Sequence, residues 1–356
     1  MQLSERELGE SIQAERDTLA EAITARHYEL HPELAARYGP TGREKCFQDA
    51  RYHLSYLAEA LTSCSPALFA DYVSWAKVML STRGISAADL VQNIECMREV
   101  IERKLPDETR PSLHNFINAG LDRLPEFPTE LPTFIDDGPH WELAQKYLAL
   151  LLGGDRHVAA RLVLNSVDGG VHPKDIYLHV FQRTQREIGR LWQMNKISVA
   201  HEHYCTASTQ FIMAQLYPRI FRTERVGRTM VATSVAGELH ELGVRMVADF
   251  FEMEGWDTYY LGANSPPASV VQAVVERKAQ VLGISATMTF HLRAVEELIT
   301  QARKTAGAVG TKIMVGGYPF NLESSLWRQL GADLYAADAQ QAVYLANQFN
   351  AGGSPQ

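Results

Sequence analysis

Cysteine is scarce in this sequence. Four cysteines occur among 356 residues, at Cys46, Cys64, Cys96 and Cys205, and no two of them stand in a Cys-x-x-Cys spacing. Scattered cysteines of this kind argue against a disulfide framework and against a structural zinc site.

Long apolar runs and an excess of basic charge are also missing. No run approaches the roughly 18 to 20 apolar residues that cross a bilayer. The amino terminus, Met1-Gln2-Leu3-Ser4-Glu5-Arg6, has neither the basic start nor the apolar core of a signal peptide. The formal net charge of -8 gives no electrostatic footprint for nucleic acid. These absences predict a cytoplasmic protein that binds neither a membrane nor nucleic acid directly.

The composition is that of a globular protein, and the length allows two or three domains. Residues 1–128 show helical periodicity throughout. The stretch from Leu124 to Pro132 carries three prolines, which predicts a domain boundary and a stiff linker over residues 129–139. Residues 140–226 contain four further helical stretches with short turns, which predicts a four-helix bundle. Residues 227–352 alternate five strands with helices, which predicts a parallel, flavodoxin-like (Rossmann-like) sheet. The predicted fold class is therefore multidomain, α followed by α/β.

One histidine lies where such a sheet binds its ligands. The stretch Val235-Ala236-Gly237-Glu238-Leu239-His240-Glu241-Leu242-Gly243 follows a predicted strand, so His240 lies on the loop at the carboxyl end of that strand. A carboxylate two positions away, Glu238, can accept the second ring N–H and fix the tautomer of a ligating histidine. Alone, the pattern also fits an ordinary surface histidine. Two further segments, Ser285-Ala286-Thr287 and Gly316-Gly317, follow later strands.

Together these three segments resemble the cobalamin-binding domain that carries Asp-x-His-x-x-Gly, Ser-x-Leu and Gly-Gly. The resemblance implies that His240 is the lower cobalt ligand and Glu238 its hydrogen-bond partner. It places Gly243 in the same motif and makes Ser285, Thr287, Gly316 and Gly317 contacts of the displaced nucleotide tail. Two departures occur: Glu238 stands for Asp, which lengthens the side chain, and Thr287 stands for Leu, which adds a hydroxyl.

A second motif lies in the predicted bundle, where Trp192 is followed after nine residues by Glu202-His203. This arrangement is similar to the helical cap of CarH-type cobalamin photoreceptors. The resemblance implies that Trp192 covers an adenosyl group and that Glu202 and His203 line the same face. Core packing for Trp192 and a solvated helix face for Glu202 and His203 are the alternatives. Gln193 stands where those receptors carry a histidine, which leaves the upper ligand after illumination open.

The first 128 residues resemble the globin-like helical sensor domains of stressosome-type regulators. The residues concerned are Tyr52-His53-Leu54-Ser55-Tyr56-Leu57 and the helix that follows Ser65-Pro66. The whole arrangement resembles photocobilins, receptors that combine cobalamin with a bilin such as biliverdin. Arg51 and His53 are the candidate bilin contacts. For His53, a satisfied core histidine is the alternative.

We therefore expect a non-enzymatic light receptor that binds adenosylcobalamin, to which the photocobilin resemblance adds a bilin. Its output would be signal transduction through a changed conformation, homo-oligomer or downstream protein partner. The alternative is a corrinoid methyl carrier that serves a partner methyltransferase. A radical mutase subunit is disfavoured because no substrate barrel is predicted, and a cobalamin fold without its ligand is disfavoured by the intact motifs.

Overall fold

The computed structural model describes residues 4–221 and 223–348. The last four residues of the predicted sheet domain, 349–352, therefore lie outside the described residues. The chain divides into two compact units, Met1–Glu130 and Leu131–Gln356. The division falls within the proline-containing stretch.

The first unit is helical. Its helices are α1 (Glu5–Ala14), α2 (Arg16–Leu30), α3 (Glu33–Thr62), α4 (Pro66–Ser81), α5 (Ala87–Lys104) and α6 (Arg110–Arg123). Ser4 and Glu7 form a capping box that starts α1. Gly39, with a φ of 61°, and Pro40 kink α3. The core consists of aliphatic and aromatic side chains from all six helices. The helical prediction is confirmed, whereas the globin-like assignment of this unit stays a prediction.

The second unit begins with the predicted bundle. Its helices are α7 (Trp141–Leu152), α8 (Arg156–Asp168), α9 (Pro173–Asp175), α10 (Gln182–Gln193) and α11 (Val199–Ile220). A π-helical turn, Ile176–Phe181, joins α9 to α10, so these two run on as one long element. Such turns are rare and often lie near functional sites. The sequence pattern does not reveal this turn, because its apolar positions fit an ordinary helix equally well.

The stretch before α7 packs against the bundle. Ile135 is buried in the bundle core. The buried pair formed by Glu187 and Arg190 on α10 holds this stretch: the Phe134 amide donates to Glu187 Oε2 at 3.0 Å, and Arg190 donates to the Leu131 carbonyl at 2.8 Å. Part of the predicted linker is therefore fixed to the helix that carries Trp192.

A five-stranded parallel sheet follows. Its strands are β1 (Thr229–Ser234), β2 (Asp257–Tyr260), β3 (Val281–Ser285), β4 (Lys312–Gly316) and β5 (Leu334–Tyr335). Their order is β2-β1-β3-β4-β5, as in flavodoxin-like folds. β2 is added on one side of β1, and β3 is added on its other side, so the order in which strands are added reverses between β1 and β3. Ligands of such sheets bind outside the carboxyl ends of the strands at that reversal. The predicted parallel sheet is confirmed.

Helices cover both faces of the sheet. They are α12 (Leu242–Met253), α13 (Pro267–Arg277), α14 (Leu292–Lys304), α15 (Tyr318–Leu322), α16 (Leu326–Gln329) and α17 (Ala339–Gln348). One continuous apolar core joins the bundle to the sheet, with Tyr177 of the π-helical turn packed on Phe250 of α12. Within the two described ranges, no helix is long and apolar enough to span a bilayer.

Candidate functional site

The three sequence segments meet at the carboxyl edge of the sheet. The strand register aligns Ser234, the last residue of β1, with Ser285 of β3, and aligns Ser285 with Gly316 of β4. The loop that carries His240 leaves β1 at this edge. Ser285, Thr287, Gly316 and Gly317 are all partly exposed there. The structure thus brings together all the residues that the sequence proposed for the lower face.

Short polar contacts fix the loop between β1 and α12. The Ser234 hydroxyl donates to the His240 carbonyl at 2.9 Å. The Gly237 amide donates to the Asn264 side chain at 2.8 Å, and the Asn264 amide donates to the Glu238 carbonyl at 3.0 Å. Asn264 has a φ of 53°, a left-handed conformation that asparagine tolerates better than most residues. No sequence motif points to Asn264, because its role depends on the approach of the β2–α13 loop.

Glu238 is buried and paired with His240. Its side chain is 1% exposed, and Oε1 accepts from the His240 ring Nδ1 at 2.5 Å and from the His240 amide at 3.0 Å. Burial alone would raise the pKa of Glu238, but hydrogen bonds from His240 and His291 outweigh it and hold that pKa well below its usual range. The longer side chain therefore still reaches His240.

The second carboxylate oxygen is held by the loop after β3. Glu238 Oε2 accepts from the Thr287 amide at 2.8 Å, the Met288 amide at 3.0 Å and the His291 ring Nδ1 at 3.0 Å. The family resemblance implies a tail contact for Thr287 and assigns no role to His291. No periodicity or spacing points to His291, because its partner lies on a different loop.

His240 is oriented by this pair and accessible at its other end. An ionised carboxylate only accepts hydrogen bonds, so Nδ1 of His240 carries a proton, and in the neutral ring Nε2 has its lone pair free. The side chain is 60% exposed. The hydrogen bond to Glu238, against the effect of burial, raises the pKa of His240. A fixed tautomer with an accessible nitrogen is what a metal-ligating histidine requires.

The chain's own packing requires glycine at one of two motif positions, Gly317, but not at the other, Gly243. A Cβ placed on Gly243, which is exposed at the start of α12, meets no atom within 4 Å. The chain's own packing therefore does not require glycine there, and a ligand has room to approach. Gly317 has a φ of 109°, and a Cβ on it would lie 2.0 Å from the Ala286 carbonyl. Contact between two loops of the chain itself is thus sufficient to require Gly317.

The cap residues lie at one end of the bundle. Trp192 is half-buried near the end of α10, and Glu202 and His203 lie in the first turns of α11. The Glu202 carboxylate lies 2.7 Å from His203 Nδ1, and the His203 side chain is 74% exposed. Gln185 lies two turns before Trp192, on the same face of α10, and contacts Thr206 of α11 at 3.1 Å. Trp192 is therefore on the side of α10 that faces α11.

α11 also contacts the loop that carries His240. The Gln210 side chain donates to Glu241 Oε1 at 2.8 Å, and the Ala263 amide donates to Glu241 Oε2 at 3.1 Å. The Glu202 carboxylate contributes, after Glu238, to the raised pKa of His240. α11, which carries Glu202 in its first turn, is therefore packed against the loop that carries His240.

The proposed bilin contacts lie in the first unit. His53 is 2% exposed, and its Nδ1 lies 2.8 Å from the Tyr72 hydroxyl. Arg51 is partly exposed and pairs with Asp17 at 2.9 Å. Both side chains thus have partners within their own unit, and a bilin contact at either stays a prediction.

The donor set fits a metal that brings its own ligands. In residues 4–221 and 223–348, no three His, Cys, Asp or Glu side chains are grouped to hold a bare metal ion. His240 supplies one oriented nitrogen, and Gly243 leaves open space beside it. A corrin would bring most of the ligands of its cobalt with it, so the single nitrogen of His240 would suffice from the protein.

Comparison with known families agrees with this geometry. Residues 228–344 match a B12 binding domain, and residues 143–217 match a second B12 binding domain model. Each of these two ranges is similar to a B12 binding domain. The two matched ranges coincide with the sheet and with the bundle, so the cobalamin-binding family is supported on both sides of the site.

Curated relatives of these B12 binding domains are corrinoid proteins. Dimethylamine corrinoid protein 1 of Methanosarcina mazei is 27% identical over 187 residues, which cover 51% of this chain and 84% of the relative. Trimethylamine corrinoid protein 1 of the same organism is 27% identical over 196 residues, which cover 53% of this chain and 88% of the relative. The solved monomethylamine corrinoid protein of Methanosarcina barkeri covers 59% of this chain and 99% of its own, at 19% identity and a TM-score of 0.53. That last likeness concerns the fold.

Proposed function

We propose that this chain holds a cobalamin between the bundle and the sheet, with His240 as the lower ligand of cobalt, and serves as a corrinoid methyl carrier for a partner methyltransferase. The observation that carries the binding proposal is the Glu238–His240 pair at the β1–β3 edge, with Nε2 of His240 accessible. When bound, the cofactor supplies a cobalt–carbon bond, which transfers a methyl group in methyl carriers and breaks in light in adenosyl photoreceptors.

The residues of this chain divide the work of binding. His240 ligates, and Glu238 fixes its tautomer. Ser285, Thr287, Gly316 and Gly317 line the edge where the nucleotide tail enters, and Gly243 leaves room beside the ring. None of them performs bond chemistry by itself, so we infer a carrier and not an enzyme.

The choice of a methyl carrier rests on the relatives. The curated corrinoid proteins that match this chain are named for dimethylamine and trimethylamine, and their matches span 187 and 196 residues of it. We infer that the partner is a methyltransferase and that the natural upper ligand is a methyl group. We further propose that the protein acts in the cytoplasm, where such a partner would meet it.

Titration with methylcobalamin in the dark tests the binding proposal. We expect the absorption spectrum to shift as the cofactor's own base is replaced by His240. The His240→Ala variant should weaken binding by on the order of 100-fold and lose this shift, since ligand and hydrogen-bond partner are both disrupted. An unchanged spectrum and affinity in the variant would refute ligation by His240.

A second candidate function, light reception through adenosylcobalamin, is favoured by the cap. Trp192 is half-buried on the side of α10 that faces α11, and Glu202 lies near the start of α11, the helix whose Gln210 contacts the loop of His240. A flat indole can shield an organocobalt bond, and a carboxylate can accept from ribose hydroxyls. In this function, loss of the adenosyl contacts would alter homo-oligomerisation or partner binding. Biliverdin or another bilin near Arg51 and His53 would extend absorption towards red.

One experiment separates the two functions. Protein loaded with adenosylcobalamin is sized by gel filtration in the dark and after green light, beside its Trp192→Ala variant. A light-dependent change of size that the variant loses supports the receptor. Equal sizes in both states, with tight binding of methylcobalamin, support the methyl carrier. A biliverdin titration monitored for a red band tests the bilin separately.

A further inference from the structure

Glu238 is held by two loops at once, and His291 provides the only side chain among the Oε2 contacts seen in the described residues. Oε1 accepts from His240, while Oε2 accepts from two backbone amides and from His291 Nδ1. We propose that His291 is a positioning residue for the lower ligand, one that makes a glutamate workable where the related motif has an aspartate. This inference rests on the proposed ligation of cobalt by His240.

The length of the glutamate side chain explains the need for a second anchor. Glutamate has one more rotatable bond than aspartate, so its carboxylate loses more conformational entropy when it is fixed. The Glu238 side chain bonds to the ring of His240, which is only two residues later in the chain. Its carboxylate must therefore be held at a definite angle. Donors on Oε2 remove the rotation that the extra bond allows, and hydrogen bonds to a charged group are stronger than those between neutral groups.

His291 is itself held in place. It ends a single 3-10 turn before α14, and its side chain is 14% exposed. The imidazole packs edge-on against Phe290, with ring centroids 4.5 Å apart. A Cβ on Gly237 would lie 3.2 Å from His291 Nε2, and Gly237 also has a φ of 83°. Glycine at 237 thus leaves space for the imidazole over the loop that leads to Glu238.

The arrangement defines a chain of contacts from one loop to the other. His291 donates to Glu238, Glu238 accepts from His240, and His240 presents Nε2 to the ligand space. Since Glu238 is ionised and acceptor-only, His291 must carry its proton on Nδ1. A residue that offers a donor at the same point can therefore replace His291, whereas a ring without a donor cannot.

The test compares His291→Phe with His291→Asn in the full chain. Phenylalanine keeps a ring against Phe290 but has no donor, while the asparagine amide can place a donor near the position of Nδ1. The exposed His157 on α8, changed to Phe, is the matched control. Affinity for methylcobalamin and the absorption band of the histidine-ligated form are measured in the dark, together with the thermal midpoint of the cofactor-free protein.

We expect His291→Phe to weaken binding about 10-fold or more and to diminish the histidine-ligated band. His291→Asn and His157→Phe should stay within about twofold of wild type. A purely structural role would lower the thermal midpoint of both His291 variants and leave the spectrum of the bound form unchanged, and that outcome overturns the proposal. So does wild-type binding by His291→Phe.

A double-mutant cycle tests the link to the glutamate. Glu238→Asp shortens the side chain away from His291, so adding His291→Phe to Glu238→Asp should cost clearly less than the same change costs in wild type. Equal costs in the two backgrounds would show that His291 does not act through Glu238. Failure of wild-type protein to bind any cobalamin refutes the proposed function itself, which is a different result from all of these.

Discussion

Two histidines that the sequence proposed as cofactor contacts have opposite environments. His240, in the second unit, has a carboxylate on Nδ1 and an accessible Nε2, and its side chain is 60% exposed. His53, in the first unit, is 2% exposed and contacts the Tyr72 hydroxyl. The Glu238 hydrogen bond raises the pKa of His240, whereas burial lowers the pKa of His53 to about 4.

The contrast shows what distinguishes a histidine that can ligate a metal from a histidine of the core. A ligating imidazole needs an acceptor on one nitrogen and open space at the other. His240 meets both conditions. His53 is sealed among aromatic rings, with Tyr56 stacked on Tyr72 at 3.7 Å, and it stays neutral at physiological pH. On this geometry, His53 acts mainly through packing.

Exchanging the two histidines for alanine should give reciprocal results, and this is the largest effect expected. His53→Ala should lower the free energy of unfolding by about 2–4 kcal/mol, because it leaves a cavity and removes the partner of the Tyr72 hydroxyl. It should leave the affinity for methylcobalamin unchanged. His240→Ala should show the opposite balance: affinity is lost, while the free energy of unfolding falls by only about 1 kcal/mol, because Glu238 keeps its backbone donors and His291. Urea unfolding and cofactor titration on both variants measure this.

The comparison fails if His53→Ala weakens cobalamin binding in protein that is still folded. It also fails if His240→Ala unfolds as readily as His53→Ala, since His240 would then serve packing. A biliverdin titration of both variants tests the predicted bilin contact at His53, because His53→Ala alone would lose it.

Most of the second unit could be predicted from the sequence, because its strands and its motif loop are encoded by residues close together in the chain. Strand ends and the loop with Glu238 and His240 are encoded by neighbours along the chain, through apolar runs and a short motif. Parallel pairing then brings Ser285 and Gly316 to the same edge without further information. The motif residues are therefore found where the sequence indicated.

Contacts between different loops could not be predicted from the sequence. His291 and Asn264 reach the Glu238 loop only after the strands are in register, and no spacing encodes which side chain will arrive. The structural reason for Gly317 is of the same kind, since its partner is the Ala286 carbonyl. The π-helical turn at Ile176–Phe181 also lacks a signature, because its residues have normal helical periodicity.

The pH dependence of stability sharpens the contrast at His53. Burial, with a smaller contribution from His27, lowers the pKa of His53 to about 4 from 6.5. The unfolded chain therefore binds the proton more readily than the folded one, so this contribution to stability is complete above pH 6.5 and is lost as pH falls towards 4. Between pH 7 and pH 5 the loss is about 2 kcal/mol. His53→Phe should remove it, as urea midpoints at the two pH values will show. An unaltered pH dependence in the variant would contradict a buried neutral His53.

The contribution of a buried acid in the second unit to stability should change with pH in the opposite direction, and by a smaller amount. Asp249 of α12 accepts from the Tyr177 hydroxyl at 2.8 Å, and burial raises its pKa to about 6 from 3.8. Here the folded state binds the proton more tightly, so the stabilising contribution is complete below pH 3.8 and is lost as pH rises through 6. From pH 5 to pH 7 this loss is about 1 kcal/mol. Asp249→Asn keeps an acceptor for Tyr177 and cannot ionise, so the variant should gain about that much relative to wild type between those pH values. A relative loss would mean that ionised Asp249 stabilises the contact between the π-helical turn and α12, and that burial does not govern this acid as it governs His53.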